Sequence, residues 1–209
     1  MTAFIYTGGT ICPEGITDHP RGEDITIAAD SGYRNAKLLR VNIDIAVGEF
    51  DSLDPREIGK NAEIMTVPAE KDFTDTQMAV DVALSRNADH IVIIGGLSGR
   101  VDHTLSNLGI LEKLYAMGIR AILADGNNRV RYINATSELI PRGHYRYFSL
   151  LAADSIVKGV TIEGGKYPLK NAKIKRTHQF AVSNEIEKNC ALISVKKGGL
   201  FIIESRDPS

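Results

Sequence analysis

The chain has 209 residues, 43% of them hydrophobic and 24% charged, which supplies a full apolar core and excludes a fibrous or disordered chain. With 25 Lys and Arg against 26 Asp and Glu the formal charge is −1, so no broad positive field exists to hold a nucleic-acid backbone or an anionic membrane. Cys12 and Cys190 are the only cysteines, too few for a disulfide framework or a four-thiolate zinc site, and they fit a reduced compartment.

Met1 to Tyr6 has neither a basic start nor a long apolar stretch, and Gly8-Gly9 interrupts it, so no secretion signal is expected. Apolar runs such as Ile91 to Ile94 are far shorter than the ~20 residues of a membrane-crossing helix. A cytoplasmic protein is expected.

In chain order, β-branched runs predict strands at Ala3–Tyr6, Ile25–Ala29, Ile43–Val47, Glu63–Val67, His90–Ile94 and Arg120–Ala124. Between them, apolar residues three and four apart predict helices, most clearly over Asp75–Arg86 and from Thr104 to Met117. Strand followed by helix, repeated, implies a doubly wound, mainly parallel sheet, and the unbroken apolar runs IVII and AILA fit strands covered on both faces. After about Asn128 the pattern changes to short strand-like runs: VRYI, YRYFSLLA, SIVKGVTI, AKIK, FAVS, CALISV and LFIIES. Lys197-Gly198-Gly199 reads as a tight hairpin turn. The expected organisation is an α/β domain over residues 1–127 and a smaller all-β sandwich over 128–209.

Ligands of open parallel sheets bind beyond the carboxyl ends of the strands, and the acidic residues gather there. Asp30, Glu49, Asp51, Asp72, Asp75 and Asp102 all follow predicted strands. Carboxylates drawn to one sheet edge repel unless a cation lies between them, and Mg²⁺ takes such oxygen ligands together with water and substrate phosphates. Gly8-Gly9, Ser31-Gly32, Gly95-Gly96 and Gly99-Arg100 are strand-exit turns whose N–H groups can approach phosphate oxygens. None is a P-loop or a dinucleotide fingerprint. Lys71 and Arg100 add the positive charge that a polyphosphate needs, and His103 is a candidate phosphate donor or proton carrier. Taken singly, each of these residues also reads as an ordinary turn former, helix cap or solvated charge.

Six segments in order resemble the thiamine pyrophosphokinase family. They are Ala29-Asp30-Ser31-Gly32, Gly48-Glu49-Phe50-Asp51-Ser52, Lys71-Asp72-Phe73-Thr74-Asp75, Gly99-Arg100-Val101-Asp102-His103, Tyr167-Pro168-Leu169 and Ser183-Asn184-Glu185. The resemblance implies Mg²⁺-dependent transfer of a pyrophosphoryl group from ATP to thiamine, giving thiamine diphosphate and AMP. ATP would bind the α/β domain, and thiamine would lie between that domain and the β domain of a second subunit of a homodimer. Carried over by motif, Glu49, Asp51 and Asp72 would hold Mg²⁺, and Ser31, Gly32, Lys71, Thr74, Asp75, Arg100 and His103 would bind the nucleotide. Asp102, Ser183 and Asn184 would meet thiamine. Arg100, Asp72 and Asp102 would be catalytic, with one of the two carboxylates accepting the hydroxyl proton. The chain departs from the pattern with Ser31 for glycine, Glu49 for aspartate and Ser98 for glycine. It has no tryptophan, which leaves Tyr167, Phe180 or Phe201 as the ring to stack on thiamine. A nucleotide hydrolase built on the same carboxylates and a non-catalytic ligand sensor are the alternative readings.

Overall fold

The structure, a computed structural model, describes residues 1–49, 62–66 and 73–207. The chain divides into two compact units, Met1–Gly126 and Asn127–Ser209.

The first unit contains strands β1 (Thr2–Tyr6), β2 (Ile25–Ala29), β3 (Ile45–Gly48), β4 (Glu63–Thr66), β5 (His90–Ile94) and β6 (Arg120–Ala124). Its helices are α1 (Tyr33–Leu38), α2 (Asp75–Ser85) and α3 (Val101–Ala116). The strands pair in parallel in the order β6-β5-β1-β2-β3-β4, with Ile5 opposite both Ile27 and Ile93. Phe4, Tyr6, Ala28, Ala46, Val92 and Ile94 share one buried cluster with Ala36 of α1. Their neighbours Ala3, Ile5, Ile27, Ile45, Ile91 and Ile93 are buried as well, so both sheet faces are covered. Each such isoleucine contributes about 1.5–3 kcal/mol of burial, which is why the strand runs carry no polar alternation.

Local chemistry sets the helix ends. Thr74 caps α2: its hydroxyl accepts the Gln77 N–H at 3.2 Å, while the Gln77 side chain accepts the Thr74 N–H at 3.1 Å. At the far end Asn87 takes a left-handed φ of 63°, and the Ala88 N–H closes on the Ala83 carbonyl at 3.1 Å. Gly118 does the same for α3 at φ 78°, with Ile119 N–H on Leu114. Helix α3 begins at Val101, not near Thr104 as expected, so Asp102 and His103 occupy its first turn. A carboxylate there is favoured by the positive end of the helix, and Asp102 accepts the His103 N–H at 2.9 Å. Strand β3 likewise starts two residues later than expected, because Asp44 turns its carboxylate to the N–H and hydroxyl of Thr26 at 2.9 and 2.8 Å.

The second unit holds two antiparallel sheets. One is ordered β12 (Asn184–Glu185), β9 (Tyr147–Ala152), β14 (Gly199–Ser205), β7 (Asn128–Asn134). The other is ordered β11 (Leu169–Lys175), β10 (Ile156–Glu163), β13 (Cys190–Ser194), β8 (Ser137–Pro141). Ile133, Phe148, Leu150, Leu200 and Ile202 from the first sheet meet Ile140, Val157, Val160, Ile162, Ile174 and Ile193 from the second in one core. Arg131 joins the sheets, pairing with buried Glu204 of β14 and with Glu138 of β8 at 3.2 Å.

Two expectations change here. Lys197-Gly198-Gly199 is not a hairpin: β13 pairs with β10 and β8, whereas β14 pairs with β7 and β9. The turn instead carries the chain between sheets, with Lys197 backbone-bonded to Lys158 and the Gly199 N–H donated to Asp154 at 3.0 Å. The FAVS run is not a strand; the pairing falls on Asn184 and Glu185.

Candidate functional site

A cleft of about 380 Å³ opens where the β1, β2 and β5 strands end. Strands β1 and β5 are neighbours whose chains leave in opposite directions across the sheet, β1 toward β2 and β5 toward β6. That is the switch point at which open parallel sheets take ligands. The wall after β1 is Thr7 to Thr10, the wall after β5 is Gly95, Gly96 and Ser98 to Arg100, and Asp30 with Ser31 closes the β2 side. Thr74, Asp75 and Thr76 bring in the start of α2, and His103 and Asn107 bring in α3.

Glycine is required for this geometry. A Cβ on Gly9 would lie 1.7 Å from the Gly95 carbonyl oxygen, whereas one on Gly8 would meet the rotatable Ser31 hydroxyl at 2.0 Å, so the requirement is strict at Gly9. The amides of Gly8, Gly9 and Gly96 have no hydrogen-bond partner among the described residues, so they are free to meet an anion lodged in the cleft.

Of the expected nucleotide-binding residues, Ser31, Thr74, Asp75, Arg100 and His103 line this cleft. The Thr74 hydroxyl is already engaged as the α2 cap. Ser31 avoids the left-handed region, which falls instead on Asp30 at φ 44°; serine therefore substitutes there without backbone strain. Gly32 is buried behind the cleft, where a Cβ would strike the Tyr6 carbonyl at 1.9 Å. Its part is to let the start of α1 close onto β1.

Arg100 and Asp102 form a two-point pair, Nε to Oδ1 at 3.1 Å and Nη2 to Oδ2 at 2.5 Å, with both side chains exposed. The hydrogen bond from Arg100 holds the Asp102 carboxyl below the ordinary range, and the carboxylate in turn raises the guanidinium. Glu49 follows β3 and is half-buried. Gly48 before it packs so near Asp30 that a Cβ would be 3.1 Å from the Asp30 Cα. Asp51, Lys71 and Asp72 lie outside the described residues, and among the described residues no three His, Cys, Asp or Glu side chains group as a metal site.

In the second unit Ser183 sits at a left-handed φ of 54° and donates its N–H to Ser149 Oγ at 3.0 Å. The buried Asn184 amide is engaged internally: it accepts the N–H groups of Tyr167 at 3.0 Å and Glu185 at 2.9 Å and donates to the Tyr167 carbonyl at 2.8 Å. Of the three candidate stacking rings, Tyr167 and Phe180 are exposed, and Phe201 packs edge-on against Tyr132 at 5.5 Å.

Three residues brace the cleft walls; Asn35 and Asn107 stand in no motif, whereas Ser98 was noted only as a departure from the family pattern. Asn35 donates to the Thr7 and Gly9 carbonyls at 2.6 and 2.7 Å, Ser98 Oγ accepts the Thr10 N–H at 2.6 Å, and Asn107 donates to the Gly96 carbonyl at 2.9 Å. For Asn107 a signal existed. It occupies the buried stripe of α3 with Ile110, Leu111 and Leu114, where an amide needs a buried partner.

Fold and cleft together define an α/β protein with a glycine-walled cleft at its sheet switch point, followed by a β-sandwich unit. Residues 20–123 match the model of the thiamin pyrophosphokinase catalytic domain, and residues 136–200 match that of the thiamin pyrophosphokinase vitamin B1 binding domain. The thiamine pyrophosphokinase of Bacillus subtilis is 34% identical over an alignment covering 99% of both chains. The crystal structure of a Bacillus subtilis thiamine pyrophosphokinase superposes at a TM-score of 0.89 with 28% identity, covering both chains fully. That of Geobacillus thermodenitrificans gives 0.85 with 28% identity over 100% of this chain and 99% of the other. The chain belongs to the thiamine pyrophosphokinase family and is a diphosphotransferase. Among the described residues no helix is long and apolar enough to cross a membrane.

Proposed function

We propose that this enzyme transfers the pyrophosphoryl group of ATP to the hydroxyl of thiamine, releasing AMP, with Mg²⁺ as the cofactor. The observation that carries the reading is the cleft itself: unpartnered glycine amides, the start of α2, Arg100 and His103 all converge on one space. Such a set suits a phosphate tail, since amides and helix starts stabilise negative charge without a bulky side chain. Binding and alignment of the tail against the thiamine hydroxyl supply most of the catalysis, as in other phosphoryl transfers.

The donor chemistry fits a hard cation, because Asp30 and Asp75 line the cleft and Glu49 follows the strand beside Asp30. Glu49, Asp51 and Asp72 would hold Mg²⁺ through carboxylate oxygens, and the ion would neutralise charge on the transferring group. Arg100 compensates the remaining phosphate charge. Asp102, held ionised by Arg100, is a weak proton acceptor until that guanidinium turns to the phosphates; Asp72 is the other candidate base. Lys71, Ser31 and Gly32 complete the nucleotide side, the glycine by shaping the turn. In the second unit Ser183 and the loop held by Asn184 would receive thiamine, with the α/β unit as nucleotide domain, the sandwich as thiamine domain, and a cytoplasmic homodimer as the working form.

Incubation with thiamine, ATP and Mg²⁺ is expected to yield thiamine diphosphate and AMP in equal amounts, with both lost on chelation. AMP appearing at the same rate without thiamine would replace this reading with a nucleotide hydrolase.

A further inference from the structure

The glycine walls of the cleft are held open by two carboxamides that no motif marks. The Asn35 amide nitrogen donates to two carbonyls at once, Thr7 at 2.6 Å and Gly9 at 2.7 Å, which uses both of its hydrogens. These carbonyls flank Gly8. The Asn107 amide, 5% exposed, donates to the Gly96 carbonyl at 2.9 Å on the opposite wall. In a trans peptide the C=O and the next N–H point opposite ways. Fixing the Thr7 carbonyl toward Asn35 therefore turns the Gly8 N–H away from it, whereas fixing the Gly96 carbonyl sets the Gly96–Leu97 peptide of the facing loop. The Gly9 carbonyl is fixed in the same way, but there the following Thr10 N–H is taken up by Ser98 Oγ at 2.6 Å, which tethers one wall to the other. Without these donors the three carbonyls would be free to rotate into the cleft and repel an anion.

We propose that Asn35 and Asn107 are positioning residues: Asn35 holds the Thr7 and Gly9 carbonyls so that the Gly8 amide stays presented to the phosphate tail of the nucleotide, and Asn107 holds the Gly96 carbonyl so that the facing β5 loop keeps its place. This rests on the reading of the cleft as the nucleotide site. Neither side chain touches the reacting atoms. Asn35 acts from α1 on the β1 loop and Asn107 from α3 on the β5 loop, so one device recurs on both walls.

The test compares Asn35→Leu, Asn35→Ser and Asn107→Leu with the wild-type enzyme. Inorganic tripolyphosphate is titrated directly, KM is measured for ATP and for thiamine, and melting is followed in parallel. For Asn35→Leu and Asn107→Leu the tripolyphosphate Kd and the ATP KM are expected to rise about tenfold, the effect of one or two ordinary hydrogen bonds, with the thiamine KM unchanged. Asn35→Ser keeps one donor and should fall between, which also carries the test if a leucine variant does not fold. Unchanged tripolyphosphate affinity in folded variants, an equal rise in both KM values, or a wild-type enzyme that does not bind tripolyphosphate overturns the proposal. Wild-type binding of tripolyphosphate without thiamine diphosphate formation removes the proposed reaction and leaves the clamp standing.

Discussion

Replacing Gly9 by alanine tests the cleft through a single methyl group. Its Cβ would start 1.7 Å from the Gly95 carbonyl oxygen and 2.8 Å from Ser98 Oγ. An ordinary carbon–oxygen contact is roughly 3.3 Å, so the β1 and β5 loops must part by about 1.6 Å, the shortfall against that value. The hydrogen bonds that hold them, Thr10 N–H to Ser98 and Asn35 to the Gly9 carbonyl, do not survive such a shift. At about 1 kcal/mol each plus the desolvated groups left behind, the loss is about 2–3 kcal/mol, equivalent to about 5–10 °C in Tm for a chain of this length. Displacing phosphate-facing amides by more than an ångström should also cost about 100-fold in kcat/KM. Gly109→Ala is the control. It is exposed in the middle of α3, and a Cβ there meets nothing outside its own helix turn within 4 Å, so helix propensity should raise stability by up to about 1 kcal/mol. Paired melting curves and ATP titrations decide the matter: Gly9→Ala with wild-type Tm and wild-type ATP KM would refute the geometry of the cleft.

Tyr6→Phe should be neutral or stabilising by up to about 1 kcal/mol, because the Tyr6 hydroxyl is buried with no hydrogen-bond partner among the described residues and burial pushes its pKa up; a loss of stability in urea would reveal a partner for it. Glu204→Ala leaves Arg131, 14% exposed, with Glu138 as its one carboxylate partner among the described residues, and should destabilise by about 3 kcal/mol, read as a lower urea midpoint; a midpoint unchanged from wild type would contradict the inter-sheet tie. Stability should also fall in acid. The N-terminal amine lowers the Asp89 pKa, Arg100 lowers that of Asp102, and Lys166 lowers that of Glu185. Below about pH 4, where the unfolded carboxylates protonate, the folded chain binds fewer protons than the unfolded one, so stability present at neutral pH is lost as the pH falls through the folded values. Asp89 and Asp102 are exposed and Glu185 is partly so, and added salt should flatten this slope of Tm against pH between about 2.5 and 6; a slope indifferent to salt would assign acid lability to other groups.

How far the sequence could be read depended on whether a feature is local. The parallel strands were legible because a strand covered on both faces must be apolar throughout, and Ile91 to Ile94 is buried from end to end. The cap on α2 was legible because Thr74 and Gln77 need only each other. The Lys197–Gly199 turn was misread for the converse reason: glycine fixes the backbone of a turn, but which sheet the next strand joins is decided by partners up to 77 residues away, such as Asn128 opposite Ser205. The start of α3 at Val101 does not show in the periodicity because residues 101–103 are exposed and carry no apolar stripe, although the Thr104 N–H already closes on the Arg100 carbonyl at 3.3 Å. The same division runs through the cleft. Ser31, Thr74, Asp75, Arg100 and His103 could be named from chain order, since strand exits in a parallel sheet share one edge. Asn35 could not, because its value lies in facing Thr7 and Gly9 across 28 and 26 residues of chain, a relation that exists only once α1 has packed against β1. Motifs thus mark the groups that meet a ligand, whereas the groups that orient the backbone around it are set by packing, and reading them requires the fold.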